Sequence, residues 1–279
     1  MQNLRCLFWV LLFASAPAFA WGPEGHAIVA EIAQRRLTPE AAAAVASLLG
    51  RGHSLASVAS WADDERDERP GSYNWHFVDI PLAADTYDAV RDCAPNPRGD
   101  CAVAELERLK TELHCANTED ARRDALRFAV HFVGDIHQPL HALADARGGN
   151  GVPVTVAWRG LTCVGKCAAK RGDTNLHAVW DGSLITSTTW SWGAYVDRLE
   201  AGWLKSDEAR NADGGSPADW ANQSHAQARL AWNRVPANRM LDDAYYSFAV
   251  PIVDRQLGLA GLRLARFLNT AYAAACSAR

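Results

Sequence analysis

Apolar residues along this chain recur mostly every three or four positions, the spacing of helices with one buried face. Glu24 to Arg36 follows that rule. Thr38-Pro39, ahead of an alanine-rich run, reads as an N-cap with proline in the first helical position, and that helix should end near Gly52. Cys101 to Leu113 is a further amphipathic stretch. Thr118-Glu119-Asp120 opens a longer one, with a capping oxygen and two acids at the positive end of the helix dipole. This helix is apolar on two faces, Leu126, Ala129, Val130 and Val133 on one and Phe128, Phe132 and Ile136 on the other, so it should run through the middle of the fold. Asn175 to Leu184, Ala194 to Leu204, Pro217 to Asn233 and most of Leu241 to Ala275 return to helical spacing. Val152 to Trp158 alternates as a short strand does, after a loop at Asp145 to Gly151. Asp64 to Tyr73 is charged and irregular and should be an exposed loop. With no repeats and no linker-like stretch, the pattern predicts a mainly α protein of one domain.

Residues 1–20 stand apart from this pattern. Arg5 supplies a charged start, Cys6 to Phe13 a short apolar run, and Ala18-Phe19-Ala20 a small-x-small cleavage signal. The expectation is a cleaved signal peptide and a mature domain of residues 21–279 that begins at Trp21. The run is too short to span a bilayer, and the apolar C-terminal stretch is broken by Arg255, Arg263 and Arg266, so an exported, unanchored protein is expected, periplasmic or extracellular. Of seven cysteines, Cys6 leaves with the signal, and an even number remaining in an exported chain suggests disulfides. Cys93/Cys101 and Cys163/Cys167 are close enough to pair locally, which leaves Cys115 with Cys276; Cys163 and Cys167 can also be read as zinc ligands, although no second such pair follows. Asn222-Gln223-Ser224 matches a glycosylation sequon. The formal charge of −4 gives no broad electrostatic footprint for nucleic acid, so a polyanionic substrate would have to be held by local charge such as metal ions.

Candidate chemistry is concentrated in histidines and aspartates. His131 and Asp135, four apart, project from one helical face and can hold the same ion, and Pro139 breaks the ladder so that His141 can turn to a neighbouring position. His177 and Asp181 repeat the spacing. Imidazole nitrogen with carboxylate oxygen is a zinc donor set. One such pair is unremarkable. Two pairs, with His141, His26, His76 and Asp63 as further candidates in otherwise apolar surroundings, point to a metal cluster rather than to separate core histidines. His53, His114 and His225 read as structural or surface residues, and His137, on the opposite side of the helix from His131, as a packing or supporting one.

The order and spacing of Trp21 with His26, Ser60-Trp61-Ala62-Asp63, His76-Phe77-Val78-Asp79, His131 with Asp135, Gln138-Pro139-Leu140-His141 and Asn175-Leu176-His177 with Asp181 resemble the S1/P1 family of zinc-dependent single-strand nucleases, across nearly the whole mature chain. The resemblance implies the helical fold of the phospholipase C/P1 nuclease type, with a short β-hairpin and a trinuclear zinc cleft. It implies three zinc ions per chain. Asp63, His76, His131 and Asp135 would bind the first, and His141, His177 and Asp181 the second. The amine and carbonyl of Trp21, His26 and a bridging Asp135 would bind the third. The Trp21 amine exists only after cleavage following Ala20. Asp63, Asp135 and Arg66 would carry catalysis, with Arg66 on the phosphate, while Phe77 would stack a nucleobase and Asp79 would accept from its edge. Single-stranded DNA and RNA and 3′-nucleotides are the implied substrates, 5′-phosphorylated fragments the products, and a monomer the implied state. A zinc phospholipase C on the same scaffold is the rival enzyme; Arg66 and the His76-to-Asp79 segment favour the nuclease. An exported zinc-storage or structural metal protein is the rival outside catalysis, but a closed structural site would use four protein ligands, whereas the second ion has three candidates.

Overall fold

The computed structural model describes residues 21–162 and 172–276. The helices begin where the sequence supplies caps. Helix α1 (Pro23–Gln34) starts on a proline, and α2 (Pro39–Leu49) is capped by Thr38, whose Oγ1 accepts the Ala41 N–H at 3.3 Å. Gly50, at φ 80°, ends α2 two residues before the expected Gly52. Two single-turn helices follow, α3 (Trp61–Asp64) and α4 (Ala89–Asp92), and then α5 (Ala102–Cys115). The segment expected as an exposed loop is thus partly helical, with the end of α3 at its start and a 3₁₀ stretch at Pro70–His76 that tucks His76 inward.

Helix α6 (Glu119–Asp135) is the axis of the molecule. Thr118 accepts the Ala121 N–H at 3.1 Å, and nearly every side chain from Ala125 onward is buried, as two apolar faces require. It ends at Asp135, before the proline; a 3₁₀ turn at Pro139–Ala142 follows.

The run from Asn175 is helical but not uniform: α7 (Leu176–Ala178), a π turn at Val179–Ser183, then α8 (Leu184–Thr188). After α9 (Trp192–Ala201), α10 (Pro217–Asn233) opens on a capping box between Ser216 and Asp219, and α11 (Asp243–Ala273) packs along α1.

The expected hairpin is present as β1 (Pro153–Val156) antiparallel to β2 (Gly172–Asn175), with Pro153 opposite Asn175. A third strand, β3 (Met240–Leu241), lies parallel on the other side of β1. Two residues are too few to show alternation, so β3 was indistinguishable from the start of the last helix.

The disulfides Cys93–Cys101 and Cys115–Cys276 are formed as expected. Cys163, Cys167 and the expected signal peptide lie outside the described residues. Among the described residues no helix is long and apolar enough to cross a membrane. Asn222 sits within α10, where its Oδ1 accepts the Tyr87 N–H at 2.7 Å, and Ser224 is fully buried, so the sequon is engaged in packing.

Candidate metal centre

The C-terminal end of α6 presents His131 and Asp135 on one face, one turn apart and fully buried. His76, carried in by the 3₁₀ stretch, and Asp63, from α3, meet them there. His76 Nδ1 lies 3.1 Å from His131 Nε2 and 3.0 Å from Asp135 Oδ2, and His131 Nε2 lies 3.2 Å from the same oxygen. Asp63 Oδ1 is 3.6 Å from both imidazole nitrogens. Ligands held tetrahedrally at about 2.0–2.1 Å from one ion would stand about 3.3 Å apart, so this spacing suits a small cation at the centre.

His141 and His177 face each other with their Nε2 atoms 3.1 Å apart, and Asp181 Oδ2 is 3.4 Å from His177 Nε2. Asp181 lies within the π turn that follows α7, and such turns recur at functional sites. Gln138 donates to Asp181 Oδ1 at 2.6 Å while its Oε1 accepts the Leu140 N–H, so one side chain both shapes the turn before His141 and fixes this carboxylate.

Trp21 and the first turn of α1 close the third side. The Trp21 ring is fully buried, and the Gly22 N–H donates to the Asp181 carbonyl at 2.8 Å. One turn into α1, His26 stacks on His131 at 3.9 Å and turns Nε2 to within 3.3 Å of Asp135 Oδ1. That nitrogen, that oxygen and His26 Nδ1 are buried without a hydrogen-bond partner. Buried polar atoms left unpaired cost about 1–3 kcal/mol each, which a cation between His26 and Asp135 would offset. Among the described residues, His26, His131 and Asp135 form one of three His/Asp groups whose donor atoms lie within 4.8 Å of one another; Asp63, His76 and His131 form the second, and His141, His177 and Asp181 the third.

The imidazoles are oriented from behind. Nδ1 of His131 donates to the Ala59 carbonyl at 2.7 Å, Nδ1 of His141 to the His76 carbonyl at 2.6 Å and Nδ1 of His177 to the Gly148 carbonyl at 2.7 Å. Each bond fixes its ring with Nε2 aimed inward, the orientation that metal ligation requires. Burial drives His76 down to about 4 and His177 to about 3, and lowers His26 and His141. These four are therefore neutral and ready to ligate at neutral pH. His131 differs: burial opposes its charge, but Asp135 and Asp63 outweigh it and raise the group to about 9. Asp135 is held well below the carboxylate range against its burial, chiefly by His131. Burial raises Asp181 well above that range, a carboxylate without enough positive charge around it. A dication supplies that charge.

Arg66 forms an ion pair with Asp63 on the open side of the first group, and its guanidinium lies 5.6 Å from the Tyr73 ring. Phe77 is half-buried and Asp79 exposed, on the outward side of an extended segment whose Val78 and Ile80 are buried. That segment runs beside the turn carrying His141, with Val78 N–H donating to the His141 carbonyl and Ala144 N–H to the Ile80 carbonyl. Desolvation, then Asp92, raises the Asp79 carboxyl. His137 is buried away from the cluster; its Nδ1 bonds the Val133 carbonyl and its Nε2 accepts from Arg263 at 2.9 Å. His225 spans the carbonyls of Ala142 and Ala84.

Two glycines escaped the sequence reading. A Cβ at Gly134 would stand 2.7 Å from His26 Nδ1, and one at Gly148, whose φ is 60°, would stand 2.5 Å from the Leu140 carbonyl oxygen. A glycine inside an otherwise good helix, beside a candidate ligand, was the available signal for the first.

Comparison with known proteins gives a consistent result. The profile of the S1/P1 Nuclease family matches residues 21–273. Endonuclease 2 of Arabidopsis thaliana is 31% identical over 283 residues, covering 93% of each chain. Nuclease P1 of Penicillium citrinum is 31% identical over 277 residues, 89% of this chain and 97% of its own. Nuclease S1 of Aspergillus oryzae is 28% identical over 279 residues, 90% and 91% of the two chains.

Proposed function

The chain belongs to the S1/P1 nuclease family and is a phosphodiester hydrolase acting on nucleic acids, and from that premise we propose that it is an exported, zinc-dependent endonuclease of single-stranded DNA and RNA. Its products would carry 5′-phosphates, and 3′-nucleotides would be further substrates. The observation that carries this reading is the convergence of three His/Asp groups on the end of one buried helix, with Arg66 and Phe77 beside them.

The donor chemistry fits three zinc ions. Asp63, His76, His131 and Asp135 would hold one; His141, His177 and Asp181 a second; the Trp21 amine and carbonyl, His26 and Asp135 the third. When bound, zinc supplies positive charge for the phosphate and a water acidic enough to attack phosphorus near neutral pH. The protein does the rest. Asp135, turned by α6 toward both His26 and His76, would be the carboxylate shared between two of these sites. Arg66, held by Asp63, offers a planar cation to the charge developing on the phosphate. Phe77 provides a face on which a nucleobase stacks only when freed from a duplex, a preference for single strands without regard to sequence. Asp79 would accept from the base edge. The burial of Trp21 and the Gly22 N–H bond to the Asp181 carbonyl, which bring the residue after Ala20 beside the His/Asp groups, are consistent with a ligand amine there, and the disulfides fit an oxidising compartment outside the cytoplasm.

The direct test compares hydrolysis of single-stranded DNA, duplex DNA and phosphatidylcholine by the mature chain before and after chelation. Preferential, metal-dependent cleavage of the single strand is expected; preferential hydrolysis of the lipid would overturn the reading.

A further inference from the structure

Beyond the metal centre, an exposed arginine is mounted on an aromatic ring without an acidic partner. The Arg98 guanidinium lies 3.6 Å from the centroid of Tyr73, and among the described residues Arg98 forms no ion pair. Neighbouring arginines are committed: Arg108 to Asp100 and Glu105, Arg69 to Glu65 and Asp124. The loop beneath Arg98 is fixed. Its carbonyl accepts the Asn74 N–H at 2.8 Å, the Gly99 carbonyl accepts from Asn74 Nδ2 at 2.9 Å, and the Cys93–Cys101 disulfide closes the segment. Tyr73 is shared with the site: Arg66 lies 5.6 Å from the same ring, and Phe77 meets it edge-on at 6.1 Å.

Resting on the nuclease reading above, we propose that Arg98, stacked on Tyr73, is a second phosphate subsite that binds a non-scissile phosphate of a single strand. The two guanidiniums on one ring, with Phe77 beside it, make a track on which a base and two successive phosphates can be held. A stacked guanidinium keeps its N–H edge free for bidentate contact with phosphate, whereas a lysine keeps only the charge. In a chain of net negative charge, such local cations are what orient a polyanion. The subsite serves substrates that extend beyond the cleaved bond and is idle for a small diester.

The test pairs an oligothymidylate with bis(para-nitrophenyl) phosphate, a diester that has no second phosphate, using metal-loaded mature chain. Arg98→Ala should raise KM for the oligomer roughly tenfold with kcat unchanged, the size of one lost charge-assisted contact. It should leave the small diester unaffected and reduce the slope of log affinity against log salt by about 0.7, the value of one phosphate contact on a single strand. Arg98→Lys should recover the slope but only part of the KM. Unchanged oligomer KM and slope in Arg98→Ala would overturn the subsite, as would losses in equal proportion on both substrates. A wild-type chain that hydrolyses the small diester but not the oligomer would remove the nuclease reading and the subsite together.

Discussion

His131 and His137 lie six residues apart where α6 ends, both fully buried, and their environments oppose each other. The inward nitrogen of His131 meets Asp135, Asp63 and His76, and the carboxylates raise its pKa to about 9. The corresponding nitrogen of His137 meets the Arg263 guanidinium, and burial followed by that cation lowers it far below the usual value. Both use Nδ1 on a backbone carbonyl, so orientation does not separate them. What separates them is the charge facing Nε2. A histidine faced by carboxylates and other imidazoles can serve a cation; one faced by an arginine has already accepted a hydrogen bond and serves the fold.

The largest effect should come from the carboxylate that makes the first environment. Asp135→Asn keeps the shape but removes the charge shared between His26 and His76, and turnover on single-stranded DNA should fall by roughly a thousandfold or more, with metal lost from two sites. Asp181→Asn, touching one group only, should lose a single ion. Near-normal turnover and full metal content in Asp135→Asn would break the comparison at its base.

Next in size is the exchange between the two histidines themselves. His131→Ala should abolish activity and reduce metal content while leaving helicity intact. His137→Ala should keep its metal but lose about 2–4 kcal/mol of stability, because Arg263 is left buried with one partner fewer. Matching phenotypes would show that burial alone, not the facing charge, decides the role. Gly134→Ala should act more narrowly, since its methyl would meet His26 Nδ1; one ion should be lost with the His141 group still loaded.

Acidity sharpens the comparison further. For His76 and His177 the folded pKa values, about 4 and about 3, lie below the ordinary 6.5, so on acidification the unfolded chain takes up protons first. In the chelated protein the contribution of these two histidines should be full above pH 6.5 and be lost as pH falls from there through about 4 and about 3. His131 runs the other way, its contribution full below 6.5 and lost as pH rises through about 9. Melting of the metal-free chain across pH should therefore peak between these limits, and a curve rising steadily into acid would contradict the assignments. The smallest effect belongs to Phe77→Ala, expected to raise KM for single strands by about tenfold, one stacked base, without changing metal content.

Much of this was legible before the fold was known, because helical spacing is local. The i, i+4 relation of His131 with Asp135, the caps at Thr38 and Thr118, and the bounds of α10 need only nearby residues. What escaped depends on contacts between distant segments. Gly134 matters through His26, more than a hundred positions away, and Gln138 matters through Asp181. The π turn at Val179–Ser183 looks like ordinary helix in sequence, since both present His177 and Asp181 on one side. The two-residue strand β3 is specified by its partner β1, not by its own residues.

Native mass spectrometry of the chain beginning at Trp21, beside a form carrying one extra residue before it, tests the centre most directly. Three zinc ions are expected in the first and two in the second, with helicity preserved and activity largely gone in the extended form. Equal metal content and equal activity in the two forms, or no zinc retained by the native chain, would contradict a centre built from three His/Asp groups and the mature N-terminus.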